Sequence, residues 1–228
     1  MNQIHIEFPA TYGIIALLIL VFFGSMGNEN LTDKLIFSSE RIRKNHEYYR
    51  IFSVGLVHAG FIHLGMNLLG LYFFGPIIED VLGTWLMLSI FILSVAGGSL
   101  LSLLLRRKVA NYQAIGASGG VSGVLMSAML WYPQMKIGLL LLPVMIPAWI
   151  FGIIFSLGSI VLTQTPDRNR ISHEGHLGGM LFGGLIGYFT IPMEILQSSQ
   201  QVLFYFGVMP IALFGLLQWM LPGWFYRK

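Results

Sequence analysis

Apolar residues run in long blocks rather than in alternation, and the blocks set the first expectation. Thr11 to about Gly27 reads as a first, short helix. A second runs from about Leu56 to Val81, with Gly83 just beyond it as a stop. The third covers Trp85 to about Leu105 and ends in Arg106-Arg107-Lys108, and the fourth begins near Ile115 and reaches Trp131. A fifth is expected over Ile137–Leu162, kinked at Pro143 and Pro147. The sixth runs from about Ser172 to Ile191, and Leu203–Leu221 reads as a seventh. Residues 28–55 form the longest polar interval. There Lys34, Arg41, Arg43, Lys44 and Arg50 mix with Glu29, Asp33, Glu40, Glu47 and several aromatic residues. Basic and aromatic residues in one stretch predict a partly structured segment at an interface, not a solvated loop.

Blocks of that length, repeated along the chain, predict an all-α polytopic membrane protein folded as a single domain over 1–228. Composition agrees: 55% of the 228 residues are hydrophobic and 10% are charged, and the mean hydropathy is +0.73. That is too apolar for a soluble domain. The net charge of +3 lies in short clusters between apolar blocks, which points to lipid headgroups and not to nucleic acid. Cysteine is absent, which excludes disulfides and thiol nucleophiles. The first apolar block follows Glu7, with no basic region before it and no small-residue cleavage site, so it reads as a retained helix and not a signal peptide. If seven helices alternate, every Lys and Arg except Lys136 falls on the side of the C-terminus. The positive-inside rule makes that side cytoplasmic.

The chemistry concentrates on that same side. The second helix carries His58, His63 and Asn67 near its start, the fourth Ser118 and Ser122, the sixth His173 and His176. Strongly polar side chains inside membrane helices are costly, so three sets at one depth point to function. His63 and Asn67 are i,i+4 and share a face, as His173 and His176 do at i,i+3. Gly175, Gly179, Gly183 and Gly187 form a ridge on the sixth helix, and Gly116, Gly120 and Gly123 offer a counterpart on the fourth. Such ridges allow close helix contact. If the two meet, His176 comes within reach of a serine whose hydroxyl needs a base to become a nucleophile. No carboxylate is placed to orient the imidazole: Glu174 points to another face, Asp167 is in a loop, and Glu79 and Asp80 lie at the far end of the second helix. That favours a dyad. His63 and Asn67 are candidate donors to a developing oxyanion.

Three segments in this order, His58-Ala-Gly-Phe-Ile-His63-Leu-Gly-Met-Asn67, Gly116-Ala-Ser118-Gly119 and Gly175-His176-Leu-Gly-Gly179, resemble the signatures of rhomboid intramembrane serine proteases. Gly75-Pro76 with Glu79 and Leu82-Gly83 extends the resemblance, which covers roughly residues 45–190. It implies a six-helix rhomboid-like core with a seventh, C-terminal transmembrane helix added at about 203–221. It implies Ser118 as nucleophile and His176 as general base, with His63, Asn67 and the Ser118 backbone N–H forming an oxyanion hole. No cofactor and no metal are implied. The implied partners are the lipid bilayer and transmembrane protein substrates, admitted past the fifth helix as a lateral gate. The implied setting is a bacterial cytoplasmic membrane, with the site open to the extracytoplasmic side. That orientation opposes the charge count.

The sequence departs from the family pattern at one point. Family members often place an aromatic residue four positions after the nucleophile, where it stacks on the histidine; here that residue is Ser122. Ring orientation must then come from elsewhere, with His173 a candidate. Gly120-Val-Ser122-Gly123 is also a GxSG, so Ser122 is a formal alternative nucleophile. Ser118 is preferred because GASG is the closer match and sits nearer the helix start, where water reaches. Two rival functions follow. One is an inactive rhomboid-like protein that binds or escorts transmembrane helices. The other is a metal-dependent or transport protein using His58, His63, His173 and His176 as ligands.

Overall fold

A computed structural model describes residues 7–107, 109–138, 145–162 and 170–220. The described residues are mostly helical, as the apolar blocks require. The inner helices are α1 (Pro9–Ser25), α5 (Phe61–Leu82), α6 (Thr84–Leu105), α7 (Ser118–Trp131), α8 (Ala148–Leu162) and α9 (His173–Thr190). α5 and α6 are long and apolar enough to cross a membrane on length and composition alone, and α1, α7 and α8 are shorter apolar helices. Outward-facing side chains such as Ile62, Leu20 and Phe189 are largely exposed, as a lipid-facing surface requires.

The polar interval folds into short pieces: α2 (Glu29–Leu35), β1 (Phe37–Ser38), α3 (Ser39–Asn45), α4 (Arg50–Ser53) and a 3-10 turn at Val54–Leu56. Arg50 pins them. Its side chain is almost fully buried, and Nη1 donates to the carbonyls of Asp33 at 2.7 Å and Ile36 at 2.8 Å. Nε donates to Glu47 at 2.6 Å. A buried guanidinium persists only with its donors satisfied, and here they tie the end of α2 and Ile36 to Glu47 and α4. At the other end of the bundle, the Glu79 carboxylate accepts from the backbone N–H groups of Ala10 and Thr11, both at 2.8 Å. It satisfies the first-turn donors of α1, which has no cap of its own.

Four expectations need correction. The second helix starts at Phe61 and not at Leu56, because Val54–Leu56 is a 3-10 turn and Gly60 leads into the helix in extended backbone; His58 is therefore in a loop. The stop at Gly83 is seen, in left-handed backbone with φ +80°. The fifth helix starts at Ala148 and not at Ile137. Before it, β3 (Lys136–Gly138) pairs antiparallel with β4 (Met145–Pro147), so Pro147 closes a strand and does not kink a helix; Pro143 lies outside the described residues, as does Asp167. The last helix begins well before Leu203: α10 (Met193–Leu203) passes through a π-helical turn at Phe204–Val208 into α11 (Met209–Met220).

The glycine ridge meets its partner on a different face from the one expected. A methyl on Gly179 would overlap the Gly119 backbone, one on Gly183 would overlap Gly123, and one on Gly187 would press on Ser127. The matching face of α7 is thus Gly119, Gly123 and Ser127. Gly120 turns away to receive Phe91 and Val95 of α6, and Gly116 receives the His63 ring. α9 also packs on α6, where a methyl on Gly178 would overlap the Gly97 and Gly98 backbone and one on Gly98 would overlap the Gly175 backbone. This backbone-to-backbone packing fixes α6, α7 and α9 as one unit.

Candidate active site

Ser118 is the first residue of α7. The 14 residues of that helix reach only about 21 Å, short of a membrane's hydrocarbon core. The chain before it, β2 (Gln113–Ala114) and residues 115–117, therefore enters the bundle as irregular backbone and must find its hydrogen bonds within the protein. It does. β1 pairs with β2 through Phe37↔Ala114 and Ser38↔Gln113. Ile115 N–H donates to the Arg170 carbonyl at 2.9 Å, and Gly116 N–H to the Val54 carbonyl at 3.1 Å. Ala117 N–H donates to His58 Nε2 at 3.4 Å. The polar interval, the His58 loop and the approach to α9 thus converge on the residues that deliver Ser118. Gly116 adopts φ +124° with the His63 ring where a Cβ would stand, so only glycine fits there.

Close glycine packing of α7 on α9 brings the Ser118 hydroxyl within 2.8 Å of His176 Nε2, although the residues are 58 apart in sequence. The other ring nitrogen, Nδ1, lies 3.2 Å from Ser159 Oγ on α8. Phe155, one turn earlier on α8, stacks on the imidazole with ring centroids 5.1 Å apart and planes inclined by 24°. His173 meets the same ring edge-on at 5.5 Å. The aromatic partner missing at position 122 is thus supplied by α8, with His173 contributing an edge. Sequence reasoning missed Phe155 and Ser159. Their i,i+4 spacing was visible, but nothing along an apolar helix marked that face as the inner one.

The remaining candidates also have definite places. Ser122 is buried and donates to the Ser118 carbonyl at 2.6 Å, the usual bond of a serine inside a helix. Its hydroxyl serves α7 itself. Ser127 bonds the carbonyls of Gly123 and Gly183 and ties α7 to α9. Asn67 is buried, with one amide N–H donated to the His63 carbonyl at 2.9 Å and a second N–H remaining on the same nitrogen. The His63 and His58 rings meet edge-on at 5.2 Å. Behind Ser118 lies a cavity of about 20 Å3, lined in part by Ser99, Ser102 and Ser172, large enough for one water molecule.

Glu174 faces away from His176, as its spacing suggested, and forms an ion pair with Arg106. The Tyr112 hydroxyl faces two acceptors, the Glu174 carboxylate at 3.2 Å and Ser172 Oγ at 3.1 Å, and shares its one proton between them. Ser172 in turn caps α9 by accepting from Gly175 N–H at 2.9 Å. Tyr112 lies in the loop between α6 and α7, and burial, reinforced by the Glu174 charge, pushes its phenol well above the ordinary value. It stays a neutral donor. The cluster fixes the first turn of α9, one turn before His176. Among the described residues, no group of three or more His, Cys, Asp and Glu side chains is arranged to hold a metal ion.

Chemically, a hydroxyl 2.8 Å from an imidazole nitrogen can pass its proton to that nitrogen as it attacks a carbonyl carbon. The first-turn N–H groups of α7 have no acceptors within the helix and form its positive end. The profile of the rhomboid domain matches residues 45–193, ending where α10 begins. Rhomboid protein 1, mitochondrial, of Saccharomyces cerevisiae is 32% identical over 65% of this chain and 44% of its own length. Rhomboid protease GluP of Bacillus subtilis is 29% identical over 76% of this chain and 33% of its own. Inactive RHOMBOID-like protein 8 of Arabidopsis thaliana is 33% identical over 40% of this chain and 26% of its own. The chain thus spans less than half the length of these relatives. Their sources are fungal, bacterial and plant, so kinship indicates an integral membrane protein without singling out a bacterial membrane.

Proposed function

The chain belongs to the rhomboid family, and on that premise we propose that it is an intramembrane serine endopeptidase. Its substrate is a peptide bond in or near the transmembrane segment of another membrane protein. The observation that carries this reading is the 2.8 Å contact between Ser118 Oγ and His176 Nε2. Ser118 attacks the carbonyl carbon while His176 takes its proton. The oxyanion then forms beside the Ser118 N–H at the start of α7, with His63 and Asn67 as further donors. His176 returns the proton to the departing amine, and a water activated by the same imidazole releases the acyl group from Ser118. The non-catalytic reading drew on the absence of an aromatic residue at 122, and the Phe155 stack on His176 weakens that ground.

The test is cleavage of a single-pass membrane substrate by the purified protein, with Ser118→Ala, Ser122→Ala and His176→Ala beside the wild type. Loss of cleavage in Ser118→Ala and His176→Ala, with Ser122→Ala still cutting, is expected. Cleavage that survives Ser118→Ala would overturn the assignment.

We also propose that the site opens on the extracytoplasmic side, following family kinship against the charge count. The chain has no cysteine, so Ala59→Cys, at the exposed position of the loop that carries His58, gives a single thiol. Reaction with a membrane-impermeant maleimide from outside intact cells is expected. Reaction only after permeabilisation would reverse the orientation.

A further inference from the structure

A neutral imidazole carries one proton on one of two nitrogens, and only the bare nitrogen can act as a base. If Ser118 is to give its proton to Nε2, the ring's own proton must sit on Nδ1. The group facing Nδ1 is Ser159 Oγ, 3.2 Å away, on a serine that is 3% exposed and so shielded from competing water. Phe155, on the same face of α8, sets the plane of the ring by stacking at 24°. His176 is itself buried, so no solvent reorients it. Two contacts from one helix therefore bear on the two properties a base needs here: Ser159 Oγ can accept a proton carried on Nδ1, which leaves Nε2 bare, and Phe155 sets where the ring points.

We infer that α8 positions the general base, with Ser159 accepting the Nδ1 proton of His176 and Phe155 serving as the platform for its ring. The inference rests on the proposed role of His176. Neither residue touches the reacting atoms, so both are positioning residues.

α8 is held between two neighbours. Its contact with α9 runs through side chains: besides the two above, Ser156 donates to Met180 Sδ at 3.6 Å. On its outer side the last helix clasps it. The Phe206 ring of the π-helical turn fills the space a side chain would need at Gly152, Trp149 meets Tyr205, and Ile160 clusters with Phe214 and Leu177. Any displacement of α8 from α9 takes Ser159 and Phe155 away from the imidazole together. A substrate helix that passes by α8 would meet a disarmed base, and cleavage would wait until α8 packs again.

The test uses the full-length protein in detergent with Ser159→Ala, Ser159→Thr, Phe155→Leu and Phe155→Tyr. Two quantities are read: the second-order rate of labelling by a small fluorophosphonate, and the nitrogen-15 signals of His176. Ser159→Ala is expected to slow labelling by about 3- to 10-fold, the loss of one ordinary hydrogen bond. It should also move the ring signals toward a mixture of tautomers. Ser159→Thr, which keeps the hydroxyl, should restore both. Phe155→Leu is expected to slow labelling about five-fold and Phe155→Tyr hardly at all. Wild-type rates and unchanged ring signals in Ser159→Ala and Phe155→Leu would overturn the inference while leaving the protease reading intact. If the wild type does not label, the protease reading fails instead. The ring signals then decide alone: a tautomer shift in Ser159→Ala upholds the role of α8, and unchanged signals overturn it.

Discussion

On one side α9 meets α7 and α6 through glycine, with Gly179 and Gly183 against the Gly119 and Gly123 backbone and Gly178 against Gly97 and Gly98. On the other side it meets α8 through side chains: Phe155 and Ser159 on His176, and Ser156 on Met180. Backbone packed on backbone cannot slide without collision, whereas aromatic and hydroxyl contacts can separate and re-form by rotamer changes. The helices that carry Ser118 and His176 are joined on the rigid side, which sets the separation of the two backbones. The orientation of His176 is left to the adjustable side. Distance and orientation of the dyad are thus under separate control.

The largest effect should come from attacking the rigid side. Gly183→Leu forces a side chain into the Gly123 backbone and is expected to abolish a monodisperse, folded species in size-exclusion chromatography. Gly207→Leu, where nothing lies within 4 Å of an added Cβ, should elute as wild type. Equal behaviour of the two variants would mean that glycine packing is not what locks α9.

Next in size is the anchor that fixes the first turn of α9. Arg106→Ala leaves Glu174, almost fully buried, without its cation, and a loss of about 3 kcal/mol is expected in denaturant or thermal unfolding. Glu174→Gln, which retains acceptors for Tyr112, should lose less. A smaller effect is expected on the adjustable side. Phe206→Ala removes the ring over Gly152 and should cost about 1–2 kcal/mol, since in lipid only packing contacts are lost. Its fluorophosphonate labelling should slow as α8 loosens; unchanged labelling would sever the last helix from the site. Smallest of all, Ser122→Ala is expected to change stability by less than about 1 kcal/mol and to leave cleavage intact.

The same contrast governs what is legible in the sequence. The three signature segments stand out because polar side chains at helix starts are costly in so apolar a chain unless they serve a site, and Ser118, His176, His63 and Asn67 are marked on that ground. That α7 and α9 meet is legible from the α9 glycine ridge. Which face of α7 they share is not: Gly116, Gly119, Gly120 and Gly123 offer overlapping ridges, and only Gly119, Gly123 and Ser127 meet the partner. Nor is the start of α8. Residues 137–162 are uniformly apolar, so periodicity carries no boundary, and the pairing of Lys136–Gly138 with Met145–Pro147 depends on backbone hydrogen bonds that side-chain pattern does not encode. Ser159 and Phe155 are hidden for a related reason. A serine and a phenylalanine on an apolar helix are ordinary until the partner's position is known. The polar interval is partly structured, as its mixture of basic and aromatic residues predicts, yet its link to Ser118 runs through backbone pairs such as Val54 with Gly116.

The most direct measurement of the central claim is mass-spectrometric identification of the serine modified by a fluorophosphonate, in the wild type and in His176→Ala. The account predicts a single adduct on Ser118 that is lost, or slowed by more than about 1,000-fold, when His176 is removed. An adduct on Ser122, or labelling of Ser118 that proceeds at the same rate without His176, would contradict it.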